Sequence, residues 1–337
     1  MVIWDDPLIT FTKNDNLNPF GLLHSFADEI RHMKGLHLIS LSWALENEDM
    51  QKFKTKYQEL SHKFIEASII ILANTEAEAF LLSAHGVKNI IANSTIFVDE
   101  RIFVCSNEKS HLEFNYRTLI NARLTPAKGH ELAKYIDAPG LLYSIYGMHE
   151  DRIEAENRVR SLLPHACFLN PTLNNGIYRV LTLTEVARLT AMSESALILS
   201  AVEGACRASM EALMCGVPIV STPSIGGRDM FYAQPYAIIC DPAPEAVRNA
   251  VDELHQRHLD RRMVREHVLR LVDAARRNFL HALHVAFRHE LSLTCPIDSV
   301  TRFKNANPWA PQRNSAQGQY FLEWINAQKS KSSVSKA

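Results

Sequence analysis

The sequence predicts an α/β fold with parallel sheets, arranged as two domains, and three observations carry this. Short apolar runs alternate with helical patterns along most of the chain, which is how parallel sheets covered by helices read. The chain has 337 residues, more than one hydrophobic core commonly organises, so two domains are expected. Apolar residues make up 47% of it, enough to fill both cores.

Taken in order, Val2-Ile3-Trp4 reads as a strand that ends in the polar break Asp5-Asp6-Pro7. Residues 20–33 carry Leu23, Phe26, Ala27 and Ile30 on one helical face, with Gly35 as the expected stop. Residues 36–41 form the next strand, and a long charged helix covers 47–67. A continuous apolar strand at 68–73 precedes a helix at 75–84, halted by Gly86, and a further strand at 87–92. Polar residues 100–113 read as a connection between domains.

The second half repeats the alternation. Strands are expected at 116–122, 141–146 and 166–169, with a helix at 150–162. Thr182 is a candidate cap for a helix over 183–192. A buried strand at 196–200 follows, then a loop, a short helix from Arg207 that uses Met210, Leu213 and Met214, and Gly216 as its left-handed end. Residues 217–221 and 236–240 are strands, and helices are expected at 245–255 and 320–327, before a polar tail at 330–337.

Two places concentrate chemistry. In the β-loop-α-β unit over 196–221, Glu203 sits in the loop and Glu211 about one turn into the helix. Free N–H groups and the positive dipole end at that helix start favour a phosphate. Carboxylates beside it suit sugar or ribose hydroxyls, and a nucleotide sugar offers both kinds of group. Upstream, Arg123 and Lys128 bracket a Pro-containing turn after a strand, where two cations can neutralise a diphosphate. The plainer readings are a helix-dipole carboxylate, a solvated one and two solvated cations.

The wording of these segments adds to the spacing. Glu203, seven residues, Glu211, then Ala-Leu-Met-Cys-Gly-Val-Pro-Ile-Val-Ser-Thr resembles the donor-site signature of family 4 retaining glycosyltransferases, which have the GT-B fold of two facing Rossmann-like domains. The Arg123 to Lys128 segment resembles the one with which that family holds the donor diphosphate, some 80 residues earlier. Residues 67–99 resemble the strand-helix-strand that enters the interdomain linker, with Asn93 and Asp99 in the usual places. The resemblance implies an N-terminal, acceptor-side domain over 1–112, reduced in size, a nucleotide-sugar-binding domain over 113–312, and a return helix with a tail over 313–337.

Three departures accompany it. Family members carry additional strands and a glycine-rich acceptor-side loop before residue 67. A missing start, a reduced domain and completion by a partner chain all fit this difference. The chain reads Leu41-Ser42-Trp43 where many members place a histidine near the transferred sugar, and Gly204-Ala205-Cys206 where Gly-Phe-Gly is common. Cys206 thus replaces a glycine that lets backbone approach the donor.

Composition narrows the alternatives. The formal charge of −1 gives no global field for nucleic acid. The six cysteines, at 105, 167, 206, 215, 240 and 295, show neither CxxC pairs nor zinc spacing, and the fifteen histidines show no ligand constellation. No metal or cofactor is expected. No run of about 18 apolar residues and no leader pattern appears, so a cytoplasmic protein is expected. Residues 255–289 are rich in Arg and His; they form either a solvated helix face or a basic surface for the inner face of a membrane.

The reading implied by the resemblance is transfer of a sugar, with retention, from a nucleoside-diphosphate sugar to a glycan or lipid-linked acceptor in polysaccharide or glycoconjugate synthesis. Arg123 and Lys128 would stabilise the leaving diphosphate, Glu203 would meet the sugar, and Glu211 the ribose. Gly204, Ala205 and Cys206 would line the donor. The rival readings are a non-catalytic nucleotide-sugar-binding or partner protein and a sugar-nucleotide epimerase.

Overall fold

The computed structural model describes residues 1–14, 20–45, 47–105, 116–144, 149–171, 178–304 and 315–334. Contacts divide the chain into one unit of residues 1–97 with 275–337 and another of residues 98–274. The boundaries read from sequence at 112/113 and 312/313 lie outside the described residues, as do most of the polar connection and residues 145–146 of a predicted strand.

In the first unit the elements are β1 (Val2–Trp4), β2 (Leu8–Lys13), α1 (Leu22–Ile30), β3 (Gly35–Ser40), α2 (Asn47–Lys63), β4 (Ala67–Ala73), α3 (Glu76–Ala84) and β5 (Asn89–Ile91). They form one sheet in the order β1-β2-β3-β4-β5. Strands β2 to β5 are parallel and β1 runs antiparallel at the edge.

Strand β2 is absent from the sequence reading. Its Thr10 and Thr12 are both buried and β-branched, and Thr10 Oγ1 hydrogen-bonds His37 Nδ1 on β3 at 2.9 Å. Gly35 is a second correction. Helix α1 stops at Ile30 with Arg31 as its cap, whereas Gly35 opens β3, where a Cβ would collide with the Leu8 carbonyl of the paired strand. A glycine that ends a helix and one that allows strands to approach closely look alike in sequence.

Because β2 to β5 stand in chain order and parallel crossovers are right-handed, α1, α2 and α3 share one face of the sheet. Their Leu23, Phe26, Phe53, Tyr57 and Leu82 join Ile39 and Ile71 in a single core. On the other face Phe11 meets Phe97 and Phe303 edge-on, with centroids 5.3 and 5.5 Å apart. Such a sheet has no reversal of strand order, hence no crevice of the kind that a reversal opens.

The second unit contains β6 (Thr118–Asn121), two 3₁₀ turns (Pro126–Lys128 and His130–Ala133), β7 (Gly140–Leu142), α4 (His149–Leu162), β8 (Cys167–Phe168), α5 (Leu183–Ala191), β9 (Ser195–Ile198), α6 (Arg207–Met214), β10 (Ile219–Ser221), β11 (Ala237–Ile239) and α7 (Pro244–Gln256). The predicted cap of α5 is a full capping box: Thr182 accepts from the Glu185 amide while the Glu185 side chain accepts from the Thr182 amide. All six strands are parallel, in the order β8-β7-β6-β9-β10-β11. Counted from the start of this unit the order is 3-2-1-4-5-6, and it reverses between β6 and β9. In open α/β sheets ligands bind at the carboxyl ends of the strands beside that reversal.

Helix α8 (Arg261–Leu291) continues from the second unit into the first, where α9 (Thr301–Lys304) and α10 (Ala316–Val334) follow. Ile325 of α10 enters the core beneath α1, and Phe321 meets Phe26 edge-on at 5.0 Å. The arginines of α8 do not form one face. Arg261 donates to the carbonyls of Ala191 and Cys215, Arg265 to those of Glu100, Phe103 and Met214, and the buried Arg276 to that of Ile96. Arg262, Arg270, Arg277 and Arg288 remain exposed, together with Glu266 and Asp273, so the positive surface is thinner than the sequence suggests. Among the described residues no helix is long and apolar enough to cross a membrane.

Candidate functional site

The strand ends at the reversal carry the residues singled out by sequence. Strand β6 ends on Asn121; Ala122 and a half-buried Arg123 follow, and the chain then turns through Pro126–Lys128. Gly129 closes this turn at φ +65°, with the Leu199 carbonyl 2.6 Å from where a Cβ would stand. This close approach, open only to glycine, holds the turn against the end of β9. Lys128 ends the 3₁₀ turn, and its Nζ reaches Glu203 Oε1.

Glu203 is 7% exposed and also accepts from Ser200 Oγ at 2.8 Å. Its loop is fixed by backbone bonds to the segment after β10: Ile225 N–H to Ala201 O at 2.9 Å, Glu203 N–H to Ile225 O at 3.0 Å and Gly227 N–H to Gly204 O at 2.9 Å. Arg228 completes the seam. Its fully buried guanidinium donates to the carbonyls of Ile198, Ser200 and Thr222 and to the Asp229 carboxylate. A planar fork with five donors can join three carbonyls in this way, which an ammonium cannot.

Helix α6 begins where this loop ends, with Cys206 as its cap residue, and Gly216 follows it at φ +74°. Gly204, Ala205 and Cys206 are all buried. Burial, with the Glu203 charge adding to it, pushes the Cys206 thiol up to about 11. Glu211, 6% exposed, points from α6 to the end of β6. Asn121 Nδ2 donates to its Oε2 at 3.3 Å, and Arg207 Nε lies 3.7 Å from its Oε1. Burial raises the Glu211 carboxyl and the Arg207 charge opposes this. The buried His130 is lowered to about 4 by burial and then by the Arg158 and Lys128 cations.

The structure therefore brings Lys128 to Glu203 and sets the Glu211 side chain, from α6, against Asn121 at the end of β6, with Arg123 on the loop between β6 and Lys128. Sequence reasoning missed Asn121, Ser200, the Arg207 side chain and Arg228. Asn121 and Ser200 stand two and three residues before Arg123 and Glu203, which it named, so proximity was the available signal. Arg228 had none. Among the described residues no three His, Cys, Asp or Glu side chains gather as a metal ion would require.

No protein-family model and no curated protein matches the chain. Solved structures do. HepE from Anabaena, crystallised with UDP, is 15% identical with a TM-score of 0.52, over 76% of this chain and 72% of that one. Sucrose-phosphate synthase from Thermosynechococcus elongatus is 14% identical with a TM-score of 0.52, over 76% and 68%. A glycosyltransferase from Rickettsia africae is 17% identical with a TM-score of 0.50, over 77% and 71%. At such identities the likeness is one of fold: the chain is α/β, with two Rossmann-like units of the GT-B type.

Proposed function

We propose that the protein is a retaining glycosyltransferase that takes its sugar from a nucleoside-diphosphate donor held at the β6/β9 reversal. The observation that carries this is the pairing of cations with buried carboxylates around one helix start: Lys128 with Glu203, and Arg207 with Glu211. A diphosphate matches the cations and the α6 N-terminus; sugar and ribose hydroxyls match the carboxylates. The fold supports the same reading by analogy only, and the UDP held by HepE makes a uridine nucleotide the first donor to test.

In this reading Lys128 and Arg123 meet the negative charge that grows on the leaving diphosphate as the glycosidic bond breaks. An interaction that strengthens toward the transition state raises turnover. Glu203, released from Lys128, faces the transferred sugar and balances its oxocarbenium-like charge. Glu211 holds the ribose hydroxyls, and the backbone of Gly204, Ala205 and Cys206 lines the donor. Fixed cations and the helix end take the place that a divalent ion has in other transferases. The acceptor is a glycan or a lipid-linked sugar.

The second reading is a nucleotide-sugar-binding protein without catalysis, favoured by Ser42 and Trp43 at the end of β3, where Ser42 is tied to Asn14 by hydrogen bonds to its side chain and carbonyl. Incubation with a panel of nucleoside-diphosphate sugars separates the two. Release of nucleoside diphosphate, with or without added glycan acceptor, supports the transferase. Binding by calorimetry without release supports the binding protein, and neither binding nor release overturns both.

A further inference from the structure

We infer that Arg207 is a nucleotide-binding residue that acts as a gate on Glu211, leaving the carboxylate for the donor's diphosphate and so opening Glu211 to the ribose. This rests on the donor site proposed above and assigns within it a side chain that the resemblance does not supply. Each oxygen of Glu211 has a partner beside it in the structure: Asn121 hydrogen-bonds Oε2 at 3.3 Å, and the Arg207 guanidinium stands 3.7 Å from Oε1. Each oxygen can accept a second donor, but a ribose hydroxyl that approaches Oε1 meets the guanidinium beside it and has to share that side of the carboxylate or displace the cation.

The two partners differ in freedom. Asn121 ends a strand in the middle of the sheet, and its amide lies within hydrogen-bond distance. Arg207 is the first residue of α6, its side chain is 35% exposed, and its Nε stands 3.7 Å from the carboxylate, beyond a good hydrogen bond. Pairs four residues apart on a helix hold weakly. Arg207 is therefore the partner that can be displaced. As the first residue of the helix it also carries its guanidinium within reach of any anion bound at the helix start.

A phosphate there offers the guanidinium a bidentate, doubly charged partner in place of one carboxylate oxygen. The exchange couples the two halves of the nucleotide: phosphate binding releases the carboxylate that the ribose needs. A nucleoside without phosphate cannot make it, and has to compete with Arg207 for Glu211.

Calorimetry on the full chain tests this with UDP against uridine, and ADP and GDP against their nucleosides. The variants are Arg207→Ala and Arg207→Lys, with circular dichroism as the check on folding. Arg207→Ala is expected to weaken nucleoside diphosphate binding by about tenfold to a hundredfold, the range of one charge-assisted contact, while nucleoside binding stays level or tightens. Arg207→Lys recovers part of the diphosphate affinity, and it carries the test with Arg207→Gln should the alanine variant not fold. An equal loss for nucleoside and nucleoside diphosphate would show that Arg207 merely braces α6, and unchanged diphosphate binding would also sink the gate; either leaves the proposed function standing. Wild-type protein that binds no nucleotide overturns the gate and the proposed function together.

Discussion

Lys128 Nζ rests on Glu203 Oε1 across 75 residues of chain, with side chains only 15% and 9% exposed. The two belong to different strand ends, and the contact exists because the Gly129 turn abuts β9. Removing one partner leaves the other poorly solvated without its counter-charge. Lys128→Met should therefore cost more stability in urea unfolding than the double variant Lys128→Met with Glu203→Gln. The coupling expected is about 1 kcal/mol or more. Equal costs would mean that the pair is screened like a surface ion pair.

The two glutamates should separate kinetically. Glu203→Gln is expected to lower kcat by about a hundredfold or more, the scale of one preorganised charge in the transition state. Glu211→Gln should act mainly on donor KM, since ribose contacts serve ground state and transition state alike. Steady-state kinetics with the best donor of the panel measures both, and the reverse pattern would exchange the roles proposed for them.

Arg228 should prove structural and not replaceable by lysine. Its guanidinium serves three carbonyls and the Asp229 carboxylate from a fully buried position. Losing it leaves several buried acceptors unpaired, at about 1–3 kcal/mol each. Arg228→Lys and Arg228→Met should both lower the thermal midpoint and both weaken donor binding, because the loop of Glu203 is sewn to this segment. A lysine variant with wild-type stability would count against the account.

Acid should destabilise the protein earlier than its carboxylates require. Burial lowers His37 to about 3 and is the main cause that lowers His130 to about 4, against an ordinary value of 6.5. Between 6.5 and those values the unfolded chain binds protons that the folded one does not. Stability is thus full above pH 6.5 and falls as pH drops toward 4, by about 1.4 kcal/mol per unit for each histidine. Urea midpoints measured from pH 7 to pH 4 report it. In Thr10→Val with His37→Met, which removes the buried pair together, the slope should lose about one proton.

Cys206 should be unreactive despite its place at a helix start, where thiols are commonly activated. With the thiol pushed up to about 11, iodoacetamide at pH 8 should label it only after unfolding. Rapid labelling of the folded protein, read by peptide mass spectrometry, would show that the α6 N-terminus overrides burial.

What could be read from sequence was local and periodic. The apolar run before Glu203, the spacing of Met210, Leu213 and Met214, and Gly216 all lie within one β-loop-α-β unit, and α6 with its flanking strands follows them. Thr182 announced its capping box because its partner stands three residues away. By contrast β2 was hidden, since Thr10 and Thr12 become core residues only beside the next strand, where they pair with His37 and Ile39. Gly35 was misread for a similar reason: what requires it is the Leu8 carbonyl, 27 residues earlier.

By itself the sequence determined an alternating α/β chain, the Thr182 cap of α5, the Gly216 end of α6 and the acidic and basic residues at its strand ends, because propensity, capping and period are properties of neighbours along the chain. Tertiary structure alone decided the strand order that reverses between β6 and β9, the meeting of Lys128 with Glu203, the hold of Asn121 and Arg207 on Glu211, and the burial of Arg228 among carbonyls. Each of these depends on how distant segments share space and lose water, and no local pattern encodes that.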